Sequence, residues 1–423
     1  MVTSTGKTTA ANTGRGRLAL PPPPRQSDFS DRLRNEAVTA RVGVWLGVCF
    51  TICFLTGVWS HYGQEIPGWL TWPTSPSWGY RVTQGLHVTT GAAAVPLLLV
   101  KLWSVYPRLF QDVPRRPPRT VLLHLLERGS VGVLVAAAVF QLATGLMNSS
   151  QWYPWEFSFR STHYAIAWLA IGSLAVHIAV KLPVIKRAIT GPLDGPGPPD
   201  PPASGAGRDA GGGEDARHQP ALAAGGISRR GLLRTTWAAA GLAVVTSAAA
   251  GTVPWLRELS VFGVRSGEGP QGVPINRTAE TAGAQTAAQD PAWRLTLVNG
   301  DDTVELSRDD LVAMPQHTAS LPISCVEGWS ASAVWTGVRV ADVLAEVGAP
   351  AGSDVFVTSL QTVGSFATSE LPANVAAHPD TLLALQLHGE DLHIDHGYPC
   401  RIIAPNRPGV RQTKWVSRME VLA

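Results

Sequence analysis

Charge is scarce and nearly balanced in this chain: of 423 residues only 15% are Asp, Glu, Lys or Arg, and the net charge is +3. A nucleic-acid partner needs a strongly basic face, so none is expected. Cysteine is as sparse. Four thiols, two of them (Cys49 and Cys53) within one apolar run, do not make a disulfide framework. The apolar residues are clustered instead of evenly spread, and the length suits two or three domains.

Residues 1–37 are polar and Pro-rich, with Arg15, Arg17, Arg25, Arg32 and Arg34, and are expected to form a disordered basic tail. Four apolar stretches follow: Val42 to Trp59, Leu86 to Tyr106, Val131 to Met147 and Tyr164 to Leu182. With its flanks, each is long enough to cross a hydrocarbon layer about 30 Å thick at about 1.5 Å per residue. Residues 38–188 therefore read as an all-α, four-helix membrane domain in a lipid bilayer. Arg108, Arg115, Arg116 and Arg119 lie between the second and third stretches, and Lys186 and Arg187 follow the fourth, whereas the other two loops carry only Arg81 and Arg160. The positive-inside rule places the N-terminus in the cytoplasm. The Arg-poor loops are rich in Trp and Tyr, as an outer interface belt would be.

Histidine in a membrane helix is costly and points to function. His163 and His177 are fourteen residues apart on the fourth helix, about 21 Å of rise and about 40° short of whole turns, so they share a side at two depths. That spacing resembles the histidine pairs of membrane-bound b-type cytochromes. His87, at the outer start of the second helix, is level with His163, and the small Gly91 lies one turn below it. His87 and His163 are the expected ligands of an outer haem b. An inner haem would use His177 with His124, because the position fourteen after His87 is Lys101. One or two haems are therefore expected.

Residues 189–227 are Gly-, Pro- and Ala-rich and read as a cytoplasmic linker. Ser228-Arg229-Arg230-Gly231-Leu232-Leu233 opens a weakly apolar segment, and residues 228–256 look like a twin-arginine export signal within the chain, a fifth membrane helix handled by the twin-arginine machinery. Five spans from a cytoplasmic N-terminus place the C-terminal domain outside. Residues 257–290 form a second linker, in which Gly272 to Arg277 is apolar enough to lie against the domain that follows. Residues 291–423 read as a mixed, strand-rich α+β domain. Strands are expected at Arg294 to Val298, Val355 to Ser359, Leu382 to Leu387, Arg401 to Ala404 and Trp415 to Val421, with helical spacing over Val338 to Val347.

Three motifs in this domain carry chemistry. Pro322 to Ser330 holds Cys325 where a β-branched run opens into Glu327-Gly328-Trp329. His396-Gly397-Tyr398-Pro399-Cys400-Arg401 and Gly409-Val410-Arg411-Gln412-Thr413-Lys414-Trp415 follow near the C-terminus. In this order they resemble the molybdopterin-binding domain of the sulfite oxidase family. The resemblance implies molybdenum-molybdopterin, with the Cys325 thiolate as the soft metal ligand. Arg401, Arg407 and Lys414 are the candidate cations for the pterin phosphate. Arg411 matches the arginine that holds an oxyanion near the metal in that family.

Two departures bear on substrate. Val326-Glu327-Gly328-Trp329 follows the cysteine where sulfite oxidases have Asn-Arg-Arg, and Phe366 stands where they have a tyrosine. The Cys-Val-Glu-x-Trp run is closer to the bacterial extracytoplasmic branch that includes methionine sulfoxide reductases. The expected function is oxygen-atom transfer on a small oxyanion or sulfoxide outside the membrane, with electrons exchanged through haem with the quinone pool. A quinol-fed sulfoxide reductase is the first alternative. A non-enzymatic haem protein with an outer binding domain is the second.

Overall fold

In the computed structural model, the structure describes residues 33–110, 117–193, 227–248, 259, 269–364 and 366–422. The expected N-terminal tail up to Arg32, Arg115 and Arg116, most of the first linker and residues 260–268 of the second lie outside the described residues.

Four helices, α1 (Glu36–Gln64), α2 (Gly79–Val105), α3 (Pro118–Ser149) and α4 (Phe159–Thr190), form a bundle, and all four are long and apolar enough to cross a membrane. The shortest, α2, has 27 residues and so extends about 40 Å at about 1.5 Å per residue. Asn35 caps α1 by accepting from Val38 N at 2.9 Å. The bundle exposes Leu55, Leu99, Val176 and Val180. In lipid that surface has no cost, and small or polar side chains between helices provide the packing.

The chain next forms α5 (Arg229–Ala243), capped by the Ser228 side chain, which accepts from Gly231 N at 3.0 Å. Its Trp237 meets Trp45 of α1 edge-on at 4.7 Å. This helix has 15 residues and is continued by the π-helical turn Val244–Ala248; among the described residues it is not one of the four candidate membrane spans, and the rest of the expected fifth span lies beyond them. Residues 249–258 lie outside the description.

The C-terminal domain pairs two sheets. One runs β2 (Asp302–Leu306), β1 (Leu295–Asn299), β10 (Val416–Val421), β5 (Val355–Ser359), β6 (Thr368–Leu371), with β1 and β10 parallel and the other pairs antiparallel. The other runs β3 (His317–Ser324), β4 (Ser330–Arg339), β7 (Leu382–Leu387), β8 (Glu390–Asp391), with β9 (Arg401–Ile403) also on β7. Leu295, Leu297, Val357, Leu383, Leu385, Ile402 and Met419 are buried in one shared core. The expected strands therefore appear, and Val338 to Val347 divides into the end of β4 and a short helix, Val340–Ala345. The segment after Gly272 does lie on the domain, for Val273 is 1% exposed and packs with Leu321 and Trp335.

The two parts meet where α1 and α3 end and α2 and α4 begin. Asn406 uses every polar group it has on the α1–α2 connection. Its backbone N–H donates to Ser77 O at 3.1 Å and its Nδ2 to Pro73 O at 2.7 Å, while its backbone O accepts from Trp72 Nε1 at 2.7 Å and its Oδ1 from Tyr80 N at 2.5 Å. Asn374 Nδ2 adds a bond to Trp72 O at 2.8 Å. Trp72 is 1% exposed, so this contact is a sealed core.

Candidate functional site

β3 and β4 pair out to Ser324 and Ser330, leaving residues 325–329 as the turn that presents the thiol. Cys325 N donates to Trp329 O at 2.9 Å and Gly328 N to Cys325 O at 3.1 Å. Gly328 has φ +105°, where a side chain is strained, and an added Cβ would lie 2.8 Å from Val88 of α2. Cys325 is 2% exposed, and burial, with Glu327 adding to it, pushes its thiol well above the ordinary range. A buried thiol of this kind becomes a thiolate only when a metal or cation compensates it.

Cys325 lines a cavity together with Phe366, Arg401, Gln412, Lys414 and residues 274–277 of the linker. Arg401 is 3% exposed; it donates to His396 O at 2.9 Å and Gln412 O at 3.1 Å and leaves Nε without a partner. Burial draws its pKa down to about 9. Lys414 Nζ donates to Arg277 O at 2.6 Å and Asp395 O at 3.0 Å, and burial, then Arg401, draws its pKa down to about 7. A buried unpaired donor costs about 1–3 kcal/mol, so a soft thiol, an orphaned guanidinium nitrogen and a buried amine around one cavity suit a metal carried by an anionic organic ligand. The residues fit molybdenum-molybdopterin. Cys400 does not share this cavity. Its thiol is raised by burial, and Sγ donates to Val416 O at 3.7 Å within the sheet core.

Two expected cations are held elsewhere. Arg407 spends its guanidinium on backbone, Nε on Arg411 O at 2.9 Å and another nitrogen on Glu370 O, and so braces the C-terminal loop. Arg411 does not line the Cys325 cavity; its charged neighbours are Arg160 of α4, Glu65 and Glu370. Burial also draws its pKa down, with Arg160 next.

The second cavity is in the bundle, a cleft of about 1420 Å³ including its open mouth. The His87 and His163 ring centres face each other across it at 6.4 Å. Two imidazoles binding one metal at about 2 Å each would place their ring centres roughly 6 Å apart. Both rings are held from behind: His87 Nδ1 by Cys53 O at 2.9 Å and Thr56 Oγ1 at 3.2 Å, His163 Nδ1 by Thr144 Oγ1 at 3.1 Å. With Nδ1 engaged, Nε2 is the nitrogen left for a metal. Gly57, Gly91 and Gly145 line the cleft with Phe50, Phe54 and Ala170, as a flat apolar macrocycle requires. The residues fit haem. His177 is not in this cleft; Lys101 and Lys181 are among its charged neighbours, and Lys101 Nζ donates to Thr39 O at 2.9 Å. His124 lies on α3, and its side chain is outside the described ones.

One residue separates the cavities. Val326 lines the bundle cleft while its neighbour Cys325 lines the other. Val326 O accepts from Gln84 Nε2 at 2.9 Å and Asn148 Nδ2 at 3.4 Å, and Glu327 Oε2 accepts from Gln151 Nε2 at 2.9 Å and Trp329 Nε1 at 3.2 Å. Burial raises the Glu327 carboxyl. Sequence reasoning missed Gln84, Asn148, Gln151 and Asn406 as positioning residues. Only Asn406 gave a signal, an Asn between two prolines, where a left-handed turn is common; its φ is +54°.

Comparison with known proteins gives two domains. Residues 282–423 match the family model described as oxidoreductase molybdopterin binding domain, and residues 44–182 match that of prokaryotic cytochrome b561. The chain is 30% identical over 157 residues to mitochondrial sulfite oxidase of Mus musculus, covering 30% of this chain and 29% of that protein. It is 33% identical over 147 residues to sulfite oxidase of Arabidopsis thaliana, covering 27% and 37%. A protein of Azospira oryzae named "Putative protein-methionine-sulfoxide reductase subunit YedZ1" is 32% identical over 113 residues, covering 27% and 42%. The chain thus spans less than half the length of each of these relatives.

Proposed function

We propose that this chain, an oxidoreductase molybdopterin-binding domain fused to a membrane cytochrome b561 domain, transfers an oxygen atom on a small oxyanion or sulfoxide and exchanges the electrons with membrane quinone. When bound, the molybdenum cofactor supplies two-electron atom transfer and the haem supplies one-electron steps. The protein's share is positional. Cys325 would hold the metal, Arg401 and Lys414 the pterin anion, and His87 and His163 the haem iron. Gln84, Asn148 and Gln151 fix the 325–329 turn against the bundle, so the two centres stay one residue apart. The observation that carries the reading is the Cys325–Val326 pair: Val326 lines the bundle cleft and its neighbour Cys325 lines the other cavity, so adjacent residues wall the two.

The Arg-poor, aromatic-rich end of the bundle that faces the sheets is then the extracytoplasmic end, and the segment opened by Arg229-Arg230 of α5 is the twin-arginine signal that takes the chain back across the membrane. An inner haem at His177 with His124 has less support than the outer one, since Lys101 is a charged neighbour of His177. Arg411, beside Arg160 and Glu65, is better placed to hold the domain interface than to bind substrate.

A second reading, reductive turnover from quinol to a sulfoxide, is supported by the Azospira oryzae relative and by Phe366, which lines the Cys325 cavity without a hydroxyl. Following the haem band of the purified chain separates the two. Reduction of haem by sulfite supports the oxidative direction, and reoxidation of dithionite-reduced haem by methionine sulfoxide the reductive one. A band that answers to neither, in protein loaded with both cofactors, refutes these substrate classes.

A further inference from the structure

The bundle cleft has a polar end and an apolar end. Phe50, Phe54, Ala94, Leu142 and Ile171 line its depth, whereas Ser60, His61, Gln64, Gln84, Asn148 and Arg160 line the end that faces the sheets. Among the described residues that line the cleft, Arg160 is the only Lys or Arg. Its NH2 pairs with Glu65 Oε1 at 2.6 Å, while its NH1 is buried and has no partner. His61, stacked on Tyr164 with ring centres 3.8 Å apart, likewise has a buried Nδ1 without a partner. The leftover guanidinium nitrogen can only donate, and the leftover imidazole nitrogen donates in its Nδ1–H tautomer, so the pair at the mouth of the cleft suits an anion, because each would otherwise carry the cost of an unmade bond.

We propose that Arg160, with His61 as second donor, anchors the carboxylates of the haem propionates at the sheet-facing end of the cleft. This rests on the reading that His87 and His163 hold haem. A haem has two carboxylates on one edge of an apolar ring, and the cleft has the matching polarity. A guanidinium that already gives one nitrogen to Glu65 still presents a second to a carboxylate. The assignment also orients the haem. Arg160 lies over the Phe366 ring at 5.8 Å, and Phe366 lines the Cys325 cavity, so the carboxylate edge is turned toward the molybdopterin domain. Arg411, the other cation there, has Arg160 among its neighbours.

The test uses the full chain in detergent, depleted of haem and reconstituted with protohaem or with its dimethyl ester, in wild-type, Arg160→Gln and Arg160→Lys forms. Wild type is expected to bind protohaem at least about tenfold more tightly than the ester, Arg160→Gln to lose that preference, and Arg160→Lys to keep most of it. Removing a cation beside the haem favours the oxidised form, so the protohaem midpoint potential of Arg160→Gln is expected to fall by about 59 mV, a tenfold change for a one-electron couple. An unchanged preference and potential in Arg160→Gln overturn the anchor while leaving the haem ligands intact. A wild-type chain that forms no low-spin, bis-imidazole spectrum with either porphyrin overturns the haem assignment itself, and the anchor with it.

Discussion

The two halves of the helix bundle are built on the same fourteen-residue spacing and diverge at one side chain. In the half that faces the sheets, Gly57 of α1 sits against His87 of α2, with an added Cβ only 3.0 Å from His87 Cε1, and His163 faces His87. Fourteen residues away on each helix are Gly43, Lys101 and His177. An added Cβ at Gly43 would lie 2.8 Å from Lys101 Nζ, so the glycine that leaves room for an imidazole in one half leaves room for an amine in the other. That amine turns to Thr39 O instead of across the bundle. The helices alone therefore do not make a haem site. It takes facing imidazoles whose Nδ1 atoms are tied back, and among the described side chains only the sheet-facing half has them.

The largest effect expected is from the sheet-facing half. His163→Ala should abolish the low-spin haem spectrum, whereas Lys101→Ala should leave it unchanged; loss of haem in both variants would erase the distinction between the halves. Cys325→Ser comes next. It should lower substrate-driven change of the haem band by at least about a thousandfold while dithionite still reduces the haem, as expected when a metal ligand is lost and the haem is not.

Smaller effects sharpen how the sheet-facing half is sealed. Gly328→Ala places a side chain at φ +105° against Val88 and should cost about 1–3 kcal/mol in the 325–329 turn. Thermal unfolding followed by tryptophan fluorescence, alongside haem turnover, measures it; an unchanged midpoint would mean that the turn does not rest on α2. The smallest effect is a pH dependence. Lys414, drawn down to about 7 by burial, is charged below that pH and neutral above it. Binding of an anionic pterin should therefore be stronger at pH 6 than at pH 8, with proton uptake at pH 8 that calorimetry in two buffers detects. Lys414→Met should bind more weakly and with a flat profile.

Legibility followed the carrier of each side chain. Helix-borne groups obey a fixed period, and the outer start of the second and fourth spans was enough to set His87 level with His163. The four spans were equally plain as unbroken apolar runs. Loop-borne groups have no period. Arg401, Arg407, Arg411 and Lys414 crowd one stretch of sequence, yet the fold sends Arg401 and Lys414 into the Cys325 cavity, Arg407 to backbone carbonyls and Arg411 to the bundle interface. The end of β3 was legible in the β-branched run before Cys325, whereas strands β2, β4, β6 and β8 went unread because their apolar positions are short or interrupted by polar residues. The interface itself was invisible, since Gln84, Asn148, Gln151 and Asn406 act through partners far away in the chain.

The most direct test is metal and haem analysis on one preparation of the full chain, from cells that make both cofactors. One molybdenum and one haem per chain, the haem lost in His163→Ala and kept in Cys325→Ser, is the predicted result. A chain without molybdenum, or one whose haem content is unchanged in His163→Ala, would contradict a structure in which, among the described side chains, the Cys325 thiol and the facing pair His87 and His163 adjoin through Val326.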